Sequence, residues 1–176
     1  MAITNYERVG KAMDLLKAGL APFVEREFRN LYKDKAGERA GKFVTDDRLN
    51  TGKPLAEWDS AALLRLMWEA WNDVFRRTLG QAERTLVSEL RDVRNRWAHQ
   101  QTFSSDDTDR ALDSTERLLT AVSAIQADEV RRMKTELRRT VFDEQMRSEK
   151  RKSAGGAVES QVTGSLKPWR EVISPH

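Results

Sequence analysis

QAERTLVSELRDVRNRWAHQ, residues 81–100, steps its apolar side chains at the period of an α-helix. Ala82, Leu86, Leu90, Val93 and Trp97 lie four, four, three and four residues apart. That spacing predicts a helix over 81–100 with one buried stripe. The same stretch carries the chain's most concentrated chemistry, Arg94-Asn95-Arg96-Trp97-Ala98-His99.

The flanks read as further helices. Before it, Tyr6, Val9, Met13, Leu16 and Leu20 form a stripe, and Thr4 with Glu7 fits a capping box. A helix over 5–33 follows, kinked at Pro22, where the missing N–H removes one intrahelical bond. Residues 34–58, with three Gly and one Pro, read as a long connection. Asp59 is an N-cap for a helix reaching Gly80, whose wide apolar arc includes Leu63, Leu64, Met67, Trp68, Trp71, Val74 and Phe75. After 81–100, the SSDD run supplies N-caps for a helix over 108–125. Its inward set is Leu112, Thr115, Leu118, Leu119, Val122 and Ile125. A last helix carries Val130, Met133, Leu137 and Val141. No strand pattern intervenes. The expected fold class is all-α, an antiparallel bundle of about five helices over 1–152. SAGGAVESQVTGS, 153–165, has the composition of a flexible linker. It leads into a terminal stub in which Trp169, Val172 and Ile173 have nothing local to pack on.

Composition removes several function classes. The 176 residues contain no Cys and two His. That excludes a disulfide scaffold, a Cys-based zinc site and a cysteine nucleophile. No metal and no cofactor is expected. No phosphate-cradling loop occurs: GKP at Gly52 lacks the required frame. No apolar run approaches the roughly 18 residues of a membrane span, and the first residues lack a secretory core. A cytoplasmic location is expected. The formal charge of +3 is unevenly distributed. Residues 130–152 hold nine Lys/Arg against four Asp/Glu, and the remainder is slightly acidic. That basic stretch reads either as a solvated helix face or as a nucleic-acid contact through phosphate charge.

Arg94, Asn95 and His99 together suit RNA cleavage without a metal. Arginine presents a rigid donor fork to a phosphate and stabilises charge developing on it. Histidine moves protons near neutral pH. RNA brings its own nucleophile, the 2′-hydroxyl. The pattern alone is weakly specific, since Arg170 and His176 show similar spacing in the tail. Five residues on a helix separate Arg94 and His99 by about 140° and about 7.5 Å along the axis. Two copies facing across a twofold axis would pool both pairs, so a catalytic reading predicts a homodimer.

Through these residues the sequence resembles a HEPN (higher eukaryotes and prokaryotes nucleotide-binding) domain, of the branch named after an endoribonuclease of messenger-RNA quality control. YERVGKAMDLLKAGLAPFVEREF, WDSAALLRLMWEAWNDVF and LVSELRDVRNRWAHQQTFSSDDTDRAL carry the likeness in order, over about residues 4–140. The resemblance implies an all-helical dimer that cuts RNA and leaves a cyclic phosphate and a 5′-hydroxyl. Arg94 would bind the scissile phosphate, His99 transfer protons and Asn95 orient the site, with Arg91 and Arg96 as RNA contacts. The tail LKPWREVISPH resembles the lead-in to an ATPase region of bacterial phage-defence proteins. The expected function is therefore an antiviral endoribonuclease, with RNA, a second copy and an ATPase region or other defence proteins as partners. The alternative is a non-catalytic HEPN dimerisation or sensing module that regulates such an ATPase.

Overall fold

The fold of this computed structural model is an all-α bundle, as expected. Residues 2–45 and 52–173 are described, with side chains over 2–45 and 52–156. The α-helices are α1 (Asn5–Tyr32), α2 (Ala36–Phe43), α3 (Ser60–Glu69), α4 (Gln81–Ala98), α5 (Ser105–Ala121) and α6 (Gln126–Ile173). Two compact units divide within α6, the first ending at Leu137 and the second beginning at Arg138. In the first, α1 packs on α5 and α3, and α4 on α3 and α5. Among the described residues no helix is long and apolar enough to cross a membrane.

The capping box at Thr4 forms as expected: the Glu7 N–H donates to Thr4 Oγ1 at 3.1 Å, and the Thr4 N–H to Glu7 Oε2 at 3.2 Å. The helix then continues through Pro22 to Tyr32. Val9, Leu16, Leu20 and Val24 on its inner face are fully buried.

Three expectations are corrected. The connection over 34–58 contains α2 and a 3₁₀ turn at Leu55–Glu57, and a further 3₁₀ turn at Lys33–Lys35 leads into it. Ala36 and Ala40 are its buried anchors, one helical turn apart and followed by buried Val44. Small anchors carry a weak periodic signal, and two glycines dilute it further. Residues 46–51 of that connection lie outside the described residues.

The helix expected to reach Gly80 ends at Glu69. A wide turn follows, in which the Arg76 N–H donates to the Trp71 carbonyl at 2.9 Å, and a 3₁₀ turn at Phe75–Arg77 completes it. Ala70, Trp71, Val74, Phe75 and Leu79 are all buried there. One straight helix would also have grouped them within half of its circumference, so their spacing alone does not reveal the early end.

In α5, Ile125 was expected inward and is 85% exposed. The helix stops at Ala121, and Ser123 takes a left-handed conformation (φ 58°) that turns the chain before Ile125. Residues 153–165 continue α6. The side chains of Trp169, Val172 and Ile173 lie outside the described residues.

Close approach of α1 to α5 depends on Gly19. A Cβ there would sit 2.4 Å from Leu119 Cδ2 and 3.0 Å from Ala124 Cβ. Leu119 is itself fully buried, so its side chain must shift within a packed core to admit the methyl group. Gly19→Ala is expected to cost about 1–3 kcal/mol by overpacking, beyond its gain of about 1 kcal/mol in helix propensity. Gly41→Ala in α2 meets nothing within 4 Å and should show only the gain. Thermal unfolding should move the two variants in opposite directions; a Gly19→Ala chain melting above wild type would refute the packing argument.

The start of α6 is tied to α5 by charge. Lys134 Nζ donates to Asp113 and Glu116, and Arg131 Nε donates to Glu116. Burial pushes the Asp113 and Glu116 carboxyls up. Hydrogen bonds and cationic charge from Lys134, with Arg117 or Arg131, outweigh it and hold both below the ordinary range. Burial likewise lowers Lys134, and the same bonds more than restore it, so its value is raised. The stabilisation is complete above the ordinary carboxyl values near 4 and is lost as pH falls through the depressed native ones. At the alkaline end it is lost as pH rises through the raised Lys134 value. Lys134→Met should therefore cost about 1–3 kcal/mol at neutral pH, shrinking at both extremes. Equal differences in melting temperature at pH 3 and pH 7 would contradict this linkage.

Candidate active site

Helix α4 carries the motif, and its buried face differs slightly from the expected stripe. Val87, Leu90 and Val93 are buried, whereas Ala82 is exposed and Leu86 half-buried. The stripe rotates toward Arg94, which is half-buried, while Asn95 and His99 are exposed.

The helix ends at Ala98, and His99 is its C-cap. The Gln101 N–H donates to the Arg96 carbonyl and the Gln100 N–H to the Trp97 carbonyl, both at 3.0 Å. This pair of bonds is a Schellman motif. Its left-handed position is usually Gly and is occupied here by Gln100, at φ 56°. A side chain in that conformation costs about 1–2 kcal/mol, so the turn beside His99 is strained.

Two further devices hold this helix end. The first is a clamp to the opening turns of α1. The Tyr6 and Trp97 rings stack at 5.4 Å between centroids, 14° from parallel. Tyr6 Oη–H donates to the Trp97 carbonyl at 3.1 Å, and Trp97 Nε1–H to the Tyr6 carbonyl at 3.2 Å. Gly10 leaves room for the indole: a Cβ there would lie 3.0 Å from Nε1. The Trp97 ring also faces the Arg94 guanidinium at 5.6 Å.

The second device is Arg96. Its Nη2 contacts Asp107 Oδ2 at 3.3 Å and the Thr102 carbonyl at 3.4 Å, and the guanidinium lies 4.7 Å over the Phe103 ring. The Arg96 hydrogen bond, with Ser104, holds the Asp107 carboxyl below its ordinary value. Proposed from sequence as an RNA contact, Arg96 is engaged in the turn between α4 and α5.

Arg94 and Asn95 open onto a cleft between α3 and α4 of about 190 Å³, lined also by Ala61, Ala62, Arg65 and Arg91. Arg91 lies 5.9 Å from the Trp68 ring. The structure thus brings Arg91, Arg94 and Asn95 together, and His99 is not among the lining residues. Arg65 was not singled out from sequence. Its signal was available: it is the sole charge within the apolar run AALLRLM. The described residues contain no group of three or more His, Cys, Asp or Glu able to hold a metal.

No curated protein and no solved structure matches the chain. The family model described as Swt1-like HEPN matches residues 11–123, more than half of the chain. Arg94, Asn95 and His99 all lie inside that span, whereas Tyr6 and Gly10 of the clamp precede it. With this match, the chain belongs to the Swt1-like HEPN family.

Proposed function

We propose that this chain is a metal-independent endoribonuclease whose active site is completed by a second copy. One observation carries the reading: Arg94 and Asn95 open on a cationic cleft, while the exposed His99 caps the same helix beyond it. One copy offers a phosphate grip and a proton-transfer group on different faces of α4. A twofold partner would bring a second His99 to the first copy's cleft.

The 2′-oxygen attacks phosphorus, the P–O5′ bond breaks, and the products are a cyclic phosphate and a 5′-hydroxyl. One His99 accepts the 2′-hydroxyl proton, and His99 of the partner subunit donates one to O5′. Arg94 neutralises charge building on the phosphoryl oxygens. Asn95 orients the scissile group, and Arg91 binds RNA alongside. Arg96 serves the turn.

We further assign this activity to antiviral defence in the cytoplasm, next to an ATPase region. Support for that assignment comes from the resemblance carried by LKPWREVISPH. The test is cleavage of single-stranded RNA with chelator present, by wild type and by His99→Ala. Equal activity in the two would sink the proposal.

A further inference from the structure

We infer that the α3–α4 cleft, beside the grip that Arg94 offers the scissile phosphate, continues into a second phosphate subsite in which Arg65 of α3 and Arg91 of α4 hold the neighbouring RNA phosphate. The inference rests on the ribonuclease reading and adds a residue and a substrate requirement to it.

Two helical strips make the cleft. On α3, Ala61 and Arg65 are four residues apart and share a face. On α4, Arg91, Arg94 and Asn95 share another. Ala61 and Ala62 are short, which leaves space where larger side chains would close the α3–α4 groove. The lining carries three guanidinium groups and one amide.

Size and charge choose the ligand class. About 190 Å³ is below the roughly 300 Å³ at which pockets for small organic ligands begin. A phosphate group fits, and guanidinium forks match phosphate oxygens in pairs. Arg91 faces the Trp68 ring, which also lies 4.5 Å from the Arg84 guanidinium, so aromatic contact steadies the α4 side of the cleft.

The order along α4 gives a direction. Arg91 precedes Arg94 by one turn, about 4.5 Å along the axis, and His99 follows it by about 7.5 Å. Arg65 and Arg91 therefore grip the strand on the side of Arg94 away from His99. The substrate is a single-stranded segment with at least two consecutive phosphates.

The experiment measures binding of a 12-nucleotide single strand, 2′-O-methylated to prevent cleavage, by the full chain over a range of salt. Wild type, Arg65→Ala, Arg65→Lys, Arg94→Ala and the α5 control Arg117→Ala are compared. Arg65→Ala should weaken binding about tenfold and reduce the salt slope by about 0.7, the loss of one phosphate contact on a single strand. Arg65→Lys should recover part of the affinity, and Arg117→Ala should stay within about twofold of wild type. Circular dichroism confirms that each variant is folded. Arg65→Ala binding like wild type, while Arg94→Ala is weakened, would overturn the subsite and leave the ribonuclease reading intact. Loss on Arg65→Ala with no cleavage of unmethylated RNA would uphold the subsite and remove the ribonuclease. No binding by wild type would overturn both.

Discussion

His99→Ala is expected to reduce RNA cleavage by about 10²–10⁴-fold while leaving the fold intact, the range lost when a general acid–base group is removed. The variant is suited to this test because the side chain is exposed at the C-cap. Truncating an exposed side chain outside any packed feature changes stability by less than about 0.5 kcal/mol. RNA affinity should change little, since proton transfer acts in the transition state and the phosphate grip lies with Arg94. The rate constant should therefore fall with KM nearly unchanged. Arg94→Ala should instead weaken binding and rate together. A composite site adds a sharper expectation. Mixed dimers with one His99→Ala copy should lose activity more than in proportion to the variant fraction. A strictly proportional loss would separate the two copies' sites and remove the dimeric mechanism, even if each chain still cut RNA.

The readability of this chain varied with the size of its signals. Helix α4 was legible because Leu90 and Val93 sit on a regular period, and its motif residues lie within six positions. Small anchors were not: Ala36 and Ala40 direct α2 by filling space, and hydrophobic periodicity barely registers them. The early end of α3 and the exposure of Ile125 arise from burial and a left-handed Ser123, which depend on neighbours distant in sequence. The same division applies to the candidate site. Arg94, Asn95 and His99 are local in sequence. Arg65 joins the cleft only through packing of α3 on α4, and Tyr6 reaches Trp97 across 91 residues. Arg96 shows the converse: next to the motif in sequence, it is directed into a turn by Asp107 and Phe103.

That long-range clamp yields the second large effect. Trp97→Ala removes the stack on Tyr6, the Nε1 donor and the ring facing Arg94. A fully buried Trp→Ala change costs about 3–5 kcal/mol, and Trp97 is half-buried, so about 2–3 kcal/mol is expected. At about 2–4 °C per kcal/mol for a chain of this size, the melting temperature should fall by about 4–12 °C. Tyr6→Phe keeps the stack and loses one hydrogen bond to the Trp97 carbonyl, about 1 kcal/mol. Gly10→Ala pushes a methyl group against the indole without removing either ring.

Stability alone does not establish that the clamp serves the site. The discriminating measurement is cleavage at a temperature where every variant is fully folded. The clamp acts on the carbonyl that also accepts the Gln100 N–H, one residue beyond His99, in a turn already strained by left-handed Gln100. Loosening it should let that turn relax and His99 move. A misplacement of about 1 Å costs on the order of 10²-fold in rate. Trp97→Ala should therefore lose about that much activity while folded, and Tyr6→Phe several-fold. Full activity of folded Trp97→Ala would show that the first turns of α1 brace the bundle and position nothing.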